Sequence, residues 1–280
     1  MPPDTYLTGI LATHRARAAA DTRRLDDLVA RALSCPPTRP FASRLSVPAG
    51  GELAVIAEVK RRSPSKGPID LTLDPAQLAA DYEGGGATCI SVLTDEDYFA
   101  GSAQDLAAVR SACTLPVLRK DFTVCPADVC DARLMGADAV LLIVAALSDP
   151  ELSSFLSLAR ELTLAALVEV HDEAELDRAL DAGAEVVGVN QRDLTTFSVD
   201  SARAARVVGR IPPDIVAVAE SGIEGEDGVR VLADAGYQAV LVGESLVRAP
   251  DRRRAVRALT GHRVGARSRA GAPEAGARER

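Results

Sequence analysis

The chain has 280 residues, 47% of them hydrophobic, and a formal net charge of −8. That length fits one large domain or two small ones, and a single α/β barrel needs about 250 residues. The negative balance argues against general affinity for nucleic acid, and no apolar run is long enough to span a membrane. Five cysteines, Cys35, Cys89, Cys113, Cys125 and Cys130, show no CxxC spacing. With no signal-peptide pattern, they predict free thiols in a reducing cytoplasm.

The first 34 residues read as helix, from residue 4 onward. Leu7, Ile10, Leu11 and His14 share one face, and Leu25, Leu28, Val29 and Leu33 continue the period. Cys35-Pro36-Pro37 ends this element, and residues 40–51 are connector. At 54 an apolar run, Val55-Ile56-Ala57, begins a buried strand that ends abruptly in Glu58, Lys60, Arg61 and Arg62. The stretch from Ser63 to Pro68 is predicted to hold neither strand nor helix.

From there the pattern alternates. Asp74 is an N-cap with proline at the first helical turn, and the helix over 74–82 stops at Gly84-Gly85-Gly86. Strands follow at 88–93, 116–119, 139–144, 165–170, 185–189, 215–219 and 239–242. Between and after them helices are predicted at 103–112, 127–135, 149–162, 173–182, 201–208, 225–235 and 245–259. Eight continuous apolar strands, each followed by a helix, suit a sheet covered by helices. Gly86-Ala87, Gly136-Ala137, Gly183-Ala184 and Gly236-Tyr237 each precede a strand, about two β/α units apart. The reading is a closed (β/α)8 TIM barrel with an extra N-terminal helical segment, one domain over 1–260. An open doubly wound sheet is the alternative, but its glycine-rich first turn is missing. Residues 261–280, rich in arginine, glycine and alanine, read as a disordered basic tail.

Function in a barrel belongs to the carboxyl ends of the strands. Those ends carry Glu58 and Lys60 with Ser63 after them, then Ser91, Lys120, Glu169, Asn190 with Arg192 after it, Glu220-Ser221-Gly222 and Gly243-Glu244-Ser245. Two apart on a strand, Glu58 and Lys60 point the same way, and charges aimed inward there are costly unless they pair or bind something. Ionisable or amide groups at most of the eight ends are hard to explain by stability alone and predict a catalytic site. The glycines after the last two strands let a backbone approach an anion, with Lys60 and Ser63 adding a cation and a hydroxyl. A substrate with a phosphate at one end is implied. The three histidines are far apart and no acidic cluster has metal spacing, so no metal site is expected.

In order, IAEVKRRSPSKG, SVLTDEDYFAGS, PVLRKDF, GADAVLLIVAAL, LVEVH, VGVNQRDL, VAESGI and VLVGESLV resemble the motifs of the indole-3-glycerol-phosphate synthase family. The likeness runs from about residue 4 to 259. It implies ring closure, decarboxylation and dehydration of 1-(o-carboxyphenylamino)-1-deoxyribulose 5-phosphate, in tryptophan biosynthesis, without metal or cofactor. It also implies roles. Lys120 resembles the general acid, and Glu169 the carboxylate that assists dehydration or stabilises a cationic intermediate. Lys60 resembles the lysine that contacts the substrate carboxylate or serves a later proton transfer, with Glu58 as its electrostatic partner. Asn190 and Ser221 orient hydroxyls and carboxylate, and Glu220 and Arg192 contact substrate. Ser63, Gly222, Gly243 and the backbone of Glu244 match the phosphate cradle, and the N-terminal helix resembles one laid across the barrel mouth.

A lysine in an apolar mouth near other cations is expected to have a lowered pKa and to deliver its proton easily. His171 is expected to be a surface or capping residue. Phe122 and Leu142 are the expected walls for the anthranilate ring, because aromatics are only 3% of the chain and tryptophan is absent. The segment CPADVCDA departs from the family's acidic and aromatic pattern, leaving a redox role for Cys125 and Cys130 open. The rival functions are a phosphoribosyl isomerase on the same barrel, disfavoured by the Glu/Lys and Glu strand ends, and a non-catalytic binding homologue. The expected assembly is a monomer or weak homodimer in the cytoplasm.

Overall fold

In the computed structural model, residues 6–64, 66–192, 200–223 and 225–267 are described. Eight parallel strands close on themselves: β1 (Ala54–Val59), β2 (Cys89–Leu93), β3 (Val117–Lys120), β4 (Ala139–Ile143), β5 (Ala165–Val170), β6 (Val186–Asn190), β7 (Val216–Glu220) and β8 (Ala239–Val242). Each pairs with its sequence neighbours, and β1 pairs with β8 to complete the ring. The closure excludes the open doubly wound sheet. Every residue of β1, β2, β4, β6, β7 and β8 is buried, as the continuous apolar runs require.

The helices are α1 (Tyr6–Ala20), α2 (Leu25–Leu33), α3 (Phe41–Leu45), α4 (Pro75–Gly85), α5 (Glu96–Phe99), α6 (Ala103–Ala112), α7 (Pro126–Leu134), α8 (Asp149–Glu161), α9 (Glu173–Asp181), α10 (Ser201–Val208), α11 (Gly225–Asp234), α12 (Glu244–Val247) and α13 (Arg252–Ala258). Asp74 caps α4 by accepting from the amides of Ala76 and Gln77, and Gly86 ends it at φ 96°. That conformation suits glycine.

Several expected boundaries are corrected. The N-terminal helix breaks after Ala20, where Asp21 Oδ1 accepts from the Arg23 amide (2.9 Å) and offers the backbone a turn instead. Leu25 and Leu33 therefore stay exposed at 42% and 54%, while Leu28 is buried. The last helix is likewise two, α12 and α13, because Pro250 lies between them and cannot donate into a helix. The Ser63–Pro68 stretch does hold strand: Arg62–Ser63 pairs antiparallel with Gly67–Pro68.

The tail is shorter than expected. Val264 is buried at 4%, and its carbonyl accepts from the Gly50 amide (2.7 Å). Arg267 Nη1 donates to the carbonyls of Pro212 (2.7 Å) and Ile215 (2.8 Å), Nε to that of Gly236 (3.0 Å), and Nη2 to Gln238 Oε1. These acceptors precede β7 and β8, so the guanidinium closes the barrel floor. Residues 268–280 of the expected tail lie outside the described residues. Arg267→Ala strips donors from several half-buried carbonyls and is expected to cost about 1–3 kcal/mol in chemical denaturation, with activity retained.

Candidate active site

The register decides which side chains look into the barrel. Neighbours paired in a parallel sheet point the same way, and successive residues along a strand point oppositely. Glu169 pairs with Ile143 on one side and Gly188 on the other, and Asn190 pairs with Glu220. Leu93 pairs with Lys120, and Glu58 with Ser91. All of these positions therefore point inward at the carboxyl ends.

Glu58, Leu93, Lys120, Ile143, Glu169, Asn190 and Glu220 line one cavity of about 460 Å3. Glu58, Lys60, Ser63, Lys120, Phe122, Glu169, Asn190, Arg192, Glu220, Ser221, Gly222, Gly243 and Glu244 all border it. The structure thus brings together every expected site residue except Leu142, whose assignment is corrected. Leu142 is fully buried between the sheet and its helices, because Ile143 faces the mouth beside Glu169 and the intervening parity turns Leu142 outward. Leu141 and Ile143 are the β4 walls. Reading β4 against the parity of Glu169 would have found them, had the register been known.

At the centre Lys120 Nζ donates to Glu169 Oε2 (3.0 Å) and to Glu220 Oε2 (2.6 Å), and Asn190 Nδ2 donates to Glu169 Oε1 (3.0 Å). Gly188 leaves the room for this arrangement, since a Cβ there would lie 2.0 Å from Glu220 Oε1. Burial alone would lower the Lys120 pKa, but Glu169, Glu220 and Glu58 overcome it and raise it. The expectation of a lowered value is therefore overturned: the neighbours are carboxylates, not cations. Burial pushes Glu169 up, yet Lys120, then His171 and the Asn190 amide, hold its carboxyl well below the usual range. Glu220 goes the other way. Burial, opposed by Lys120 and reinforced by Glu169 and Glu58, pushes it up to about 7.

Beside this centre Lys60 Nζ donates to Glu58 Oε1 (2.5 Å). Gly243 accommodates that carboxylate, since a Cβ there would lie 2.5 Å from Glu58 Oε1. Ser221 and Gly222 both take positive φ, 63° and 65°, which turns the chain sharply past β7 and presents backbone to the cavity. The side chain of Glu244 is engaged by Lys66 (3.4 Å) and Arg248 (3.2 Å). This leaves the backbone at the start of α12 bordering the cavity, with Lys66 and Arg248 at its rim. The Arg192 amide donates to Asn190 Oδ1 (3.0 Å), tying the start of the following loop to the site.

Helix α1 lies over the mouth, as the resemblance implied: Tyr6, Leu7 and Ile10 border the cavity. His14 Nε2 bonds Asp95 Oδ2 (2.9 Å), and its ring lies 5.3 Å from that of Phe122. Thr13 meets Tyr98 at 3.0 Å, and Arg15 Nη1 donates to Glu151 Oε1 (2.9 Å). The helix is thereby pinned to α5 and α8, which follow β2 and β4. His14, Asp95 and Asp121 converge, a grouping that the spacing in sequence did not show. Their atoms already serve one another and the protein: Asp95 Oδ1 accepts from the Tyr98 amide (2.6 Å), and Asp121 Oδ2 from Thr94 (2.5 Å) and Arg119 (2.8 Å). Asp121 thus pairs with Arg119 rather than Lys120, as opposite parity demands. His171 is not a surface residue either, being held between Glu169 and Glu175. Burial pushes the Cys125 and Cys130 thiols up to about 11, so neither is the activated thiolate that redox chemistry needs.

The comparisons with known proteins agree with one another. The family model described as indole-3-glycerol phosphate synthase matches residues 7–259. Indole-3-glycerol phosphate synthase 2 of Streptomyces coelicolor is 50% identical over 260 residues, covering 91% of this chain and 98% of the relative. The Mycobacterium avium indole-3-glycerol phosphate synthase is 49% identical over 258 residues, covering 91% and 94%. Among solved structures, a Pyrococcus furiosus thiamine phosphate pyrophosphorylase has TM-score 0.58 at 19% identity, covering 78% of this chain and 95% of its own. That likeness speaks to the barrel alone. Among the described residues no helix is long and apolar enough to cross a membrane.

Proposed function

Because the chain belongs to the indole-3-glycerol phosphate synthase family, we propose that the mouth of its barrel is the active site and that its residues divide the work by position. The chain is a carboxy-lyase of tryptophan biosynthesis. It converts 1-(o-carboxyphenylamino)-1-deoxyribulose 5-phosphate to indole-3-glycerol phosphate, carbon dioxide and water.

The ring carbon bearing the carboxylate attacks the ribulose ketone carbon. Lys120 gives its proton to the ketone oxygen, which becomes a hydroxyl as the new carbon–carbon bond forms. Its ammonium is fully charged at neutral pH, so the proton is always available, and the two carboxylates aim it. Carbon dioxide then leaves and its bonding pair returns to the ring. In the last step the hydroxyl leaves as water with a proton from Lys60. Glu169 takes the proton lost by the carbon next to the amine, which makes the new five-membered ring aromatic. Before that step Lys60 pairs with the substrate carboxylate, and Glu58 keeps it in place. Asn190 and Ser221 orient the hydroxyls, Glu220 and Arg192 contact the substrate, and Phe122, Leu141 and Ile143 flank the anthranilate ring. Ser63, Gly222, Gly243 and the Glu244 backbone receive the phosphate, with Lys60 nearby. No metal or cofactor is required by these steps. The same reading places the enzyme in the cytoplasm as a monomer or weak homodimer.

The observation that carries this reading is the double grip on Lys120, at 3.0 and 2.6 Å, inside a cavity that also holds the Ser221-Gly222 turn. Purified protein given the carboxyphenylamino substrate, with a chelator present, is expected to produce the rise in indole fluorescence with one carbon dioxide per turnover. No product under those conditions overturns the reading.

A further inference from the structure

His171 stands one residue beyond β5, two from Glu169 and on the same side of the strand. Its side chain is 13% exposed and lies between two carboxylates. Nδ1 meets Glu175 Oε2 at 3.0 Å, and the His171 amide donates to the same oxygen at 2.8 Å, which fixes that carboxylate at the first turn of α9. On the other edge of the ring, Nε2 lies 3.6 Å from Glu169 Oε1 and makes no hydrogen bond. Nδ1 faces an acceptor that cannot donate, so Nδ1 carries a hydrogen in either charge state. The hydrogen that comes and goes is therefore the one on Nε2, and it faces the carboxylate assigned to dehydration.

We propose that His171 is a positioning residue that acts through Glu169: with Nε2 protonated it holds the carboxylate and weakens it as a base, and with Nε2 bare it releases it. The proposal rests on the reading of Glu169 as the dehydration carboxylate. The charged groups facing the imidazole are Glu169 on its own strand, Glu175 from α9 and Arg203 from α10, with Lys120 of β3 beyond Glu169. Burial pulls the imidazole down, Glu175 and Glu169 raise it, and Arg203 opposes them, leaving it raised. Nε2 thus keeps its hydrogen to a higher pH than an ordinary histidine does. Neither the protonation of the ketone nor the phosphate cradle calls on His171, so the effect is confined to the last step.

The single-turnover rate of indole formation at saturating substrate is expected to rise about threefold to tenfold in the unmodified enzyme as pH increases from 6 to 8.5. In His171→Asn, whose amide can still donate to Glu175, that component of the rise disappears. The remaining inflection belongs to Glu220. The chain has three histidines, so ring-proton NMR resolves the titration of His171, identified by its loss in the variant. Its midpoint is expected to match the kinetic inflection, and to move to lower pH in Glu175→Gln and in Glu169→Gln. His171→Gln gives the same readout if the asparagine variant does not fold. A pH profile of unchanged shape in the His171 variants, with Glu169→Gln inactive, overturns this inference alone. Glu169→Gln that retains full activity overturns the assignment of Glu169 and this inference with it.

Discussion

Replacing Lys120 by methionine is expected to lower kcat by about a thousandfold or more, and to make the stability of the fold fall as pH rises. The first effect follows from loss of the group assigned to protonate the ketone oxygen in the proposed step, a contribution of about 10²–10⁴ for acid catalysis alone. The second follows from what remains. Glu169 and Glu220, 3% and 1% exposed, lose the cation they share. Breaking a buried pair by removing one partner costs about 3–5 kcal/mol. In the variant both carboxyls have folded pKa values above their unfolded ones. The penalty is therefore small where they are protonated and grows as pH rises through those values. In the unmodified protein the contribution is favourable, and its fall with rising pH comes only at the alkaline end. The raised Lys120 pKa supplies stability that is complete below the unfolded value of about 10.4 and is lost only in strong alkali. Urea denaturation of both proteins at pH 5 and pH 8 checks this. Equal stability at pH 8 would contradict the buried pairing.

Glu220→Gln is expected to make the protein more stable at pH 8 and less active. The Glu220 carboxyl is pushed up to about 7, by burial first and by Glu169 and Glu58 after Lys120 is set against them. A carboxyl raised on folding costs nothing below its unfolded pKa, and the cost builds as pH rises from there through the folded value. Glutamine removes that cost, so the gain is expected to be about 1–3 kcal/mol at pH 8 and negligible at pH 4. Activity falls about tenfold to a hundredfold, because Lys120 keeps one ionic anchor, Glu169, and loses the one that completes its aim. Thermal or chemical denaturation across pH, beside kcat at pH 8, tests both halves. A variant that is less stable at pH 8 would show that the pair with Lys120 outweighs the repulsion.

The strands and the list of mouth residues were legible because each rests on local pattern: apolar runs of strand length, and charge or amide where each run stops. The protonation behaviour of Lys120 was not. Glu169 lies 49 residues away in sequence and Glu220 lies 100, and only barrel closure shows that both bind the same ammonium. Leu142 was misplaced for a related reason. Its parity is fixed by the pairing of Ile143 with Glu169, which is a fact about two strands. The ordered segment up to Arg267 depends on carbonyl acceptors 31 to 55 residues earlier, so composition alone made it look like tail. The break after Ala20 was at hand in Asp21, but helical periodicity on both sides concealed it. His171 was read from its place after a strand, while its role comes from Glu175 on the next helix.

Gly188 brings no reactive group, yet Glu220 reaches Lys120 through the space its side chain does not fill. In this barrel a hydrogen atom is part of the catalytic apparatus. Conservation surveys that rank residues by chemical reactivity would pass over it, and so would a design that enriched β6 in branched residues to firm up the sheet. A single methyl group at that point would be felt as lost turnover before it was felt as lost structure.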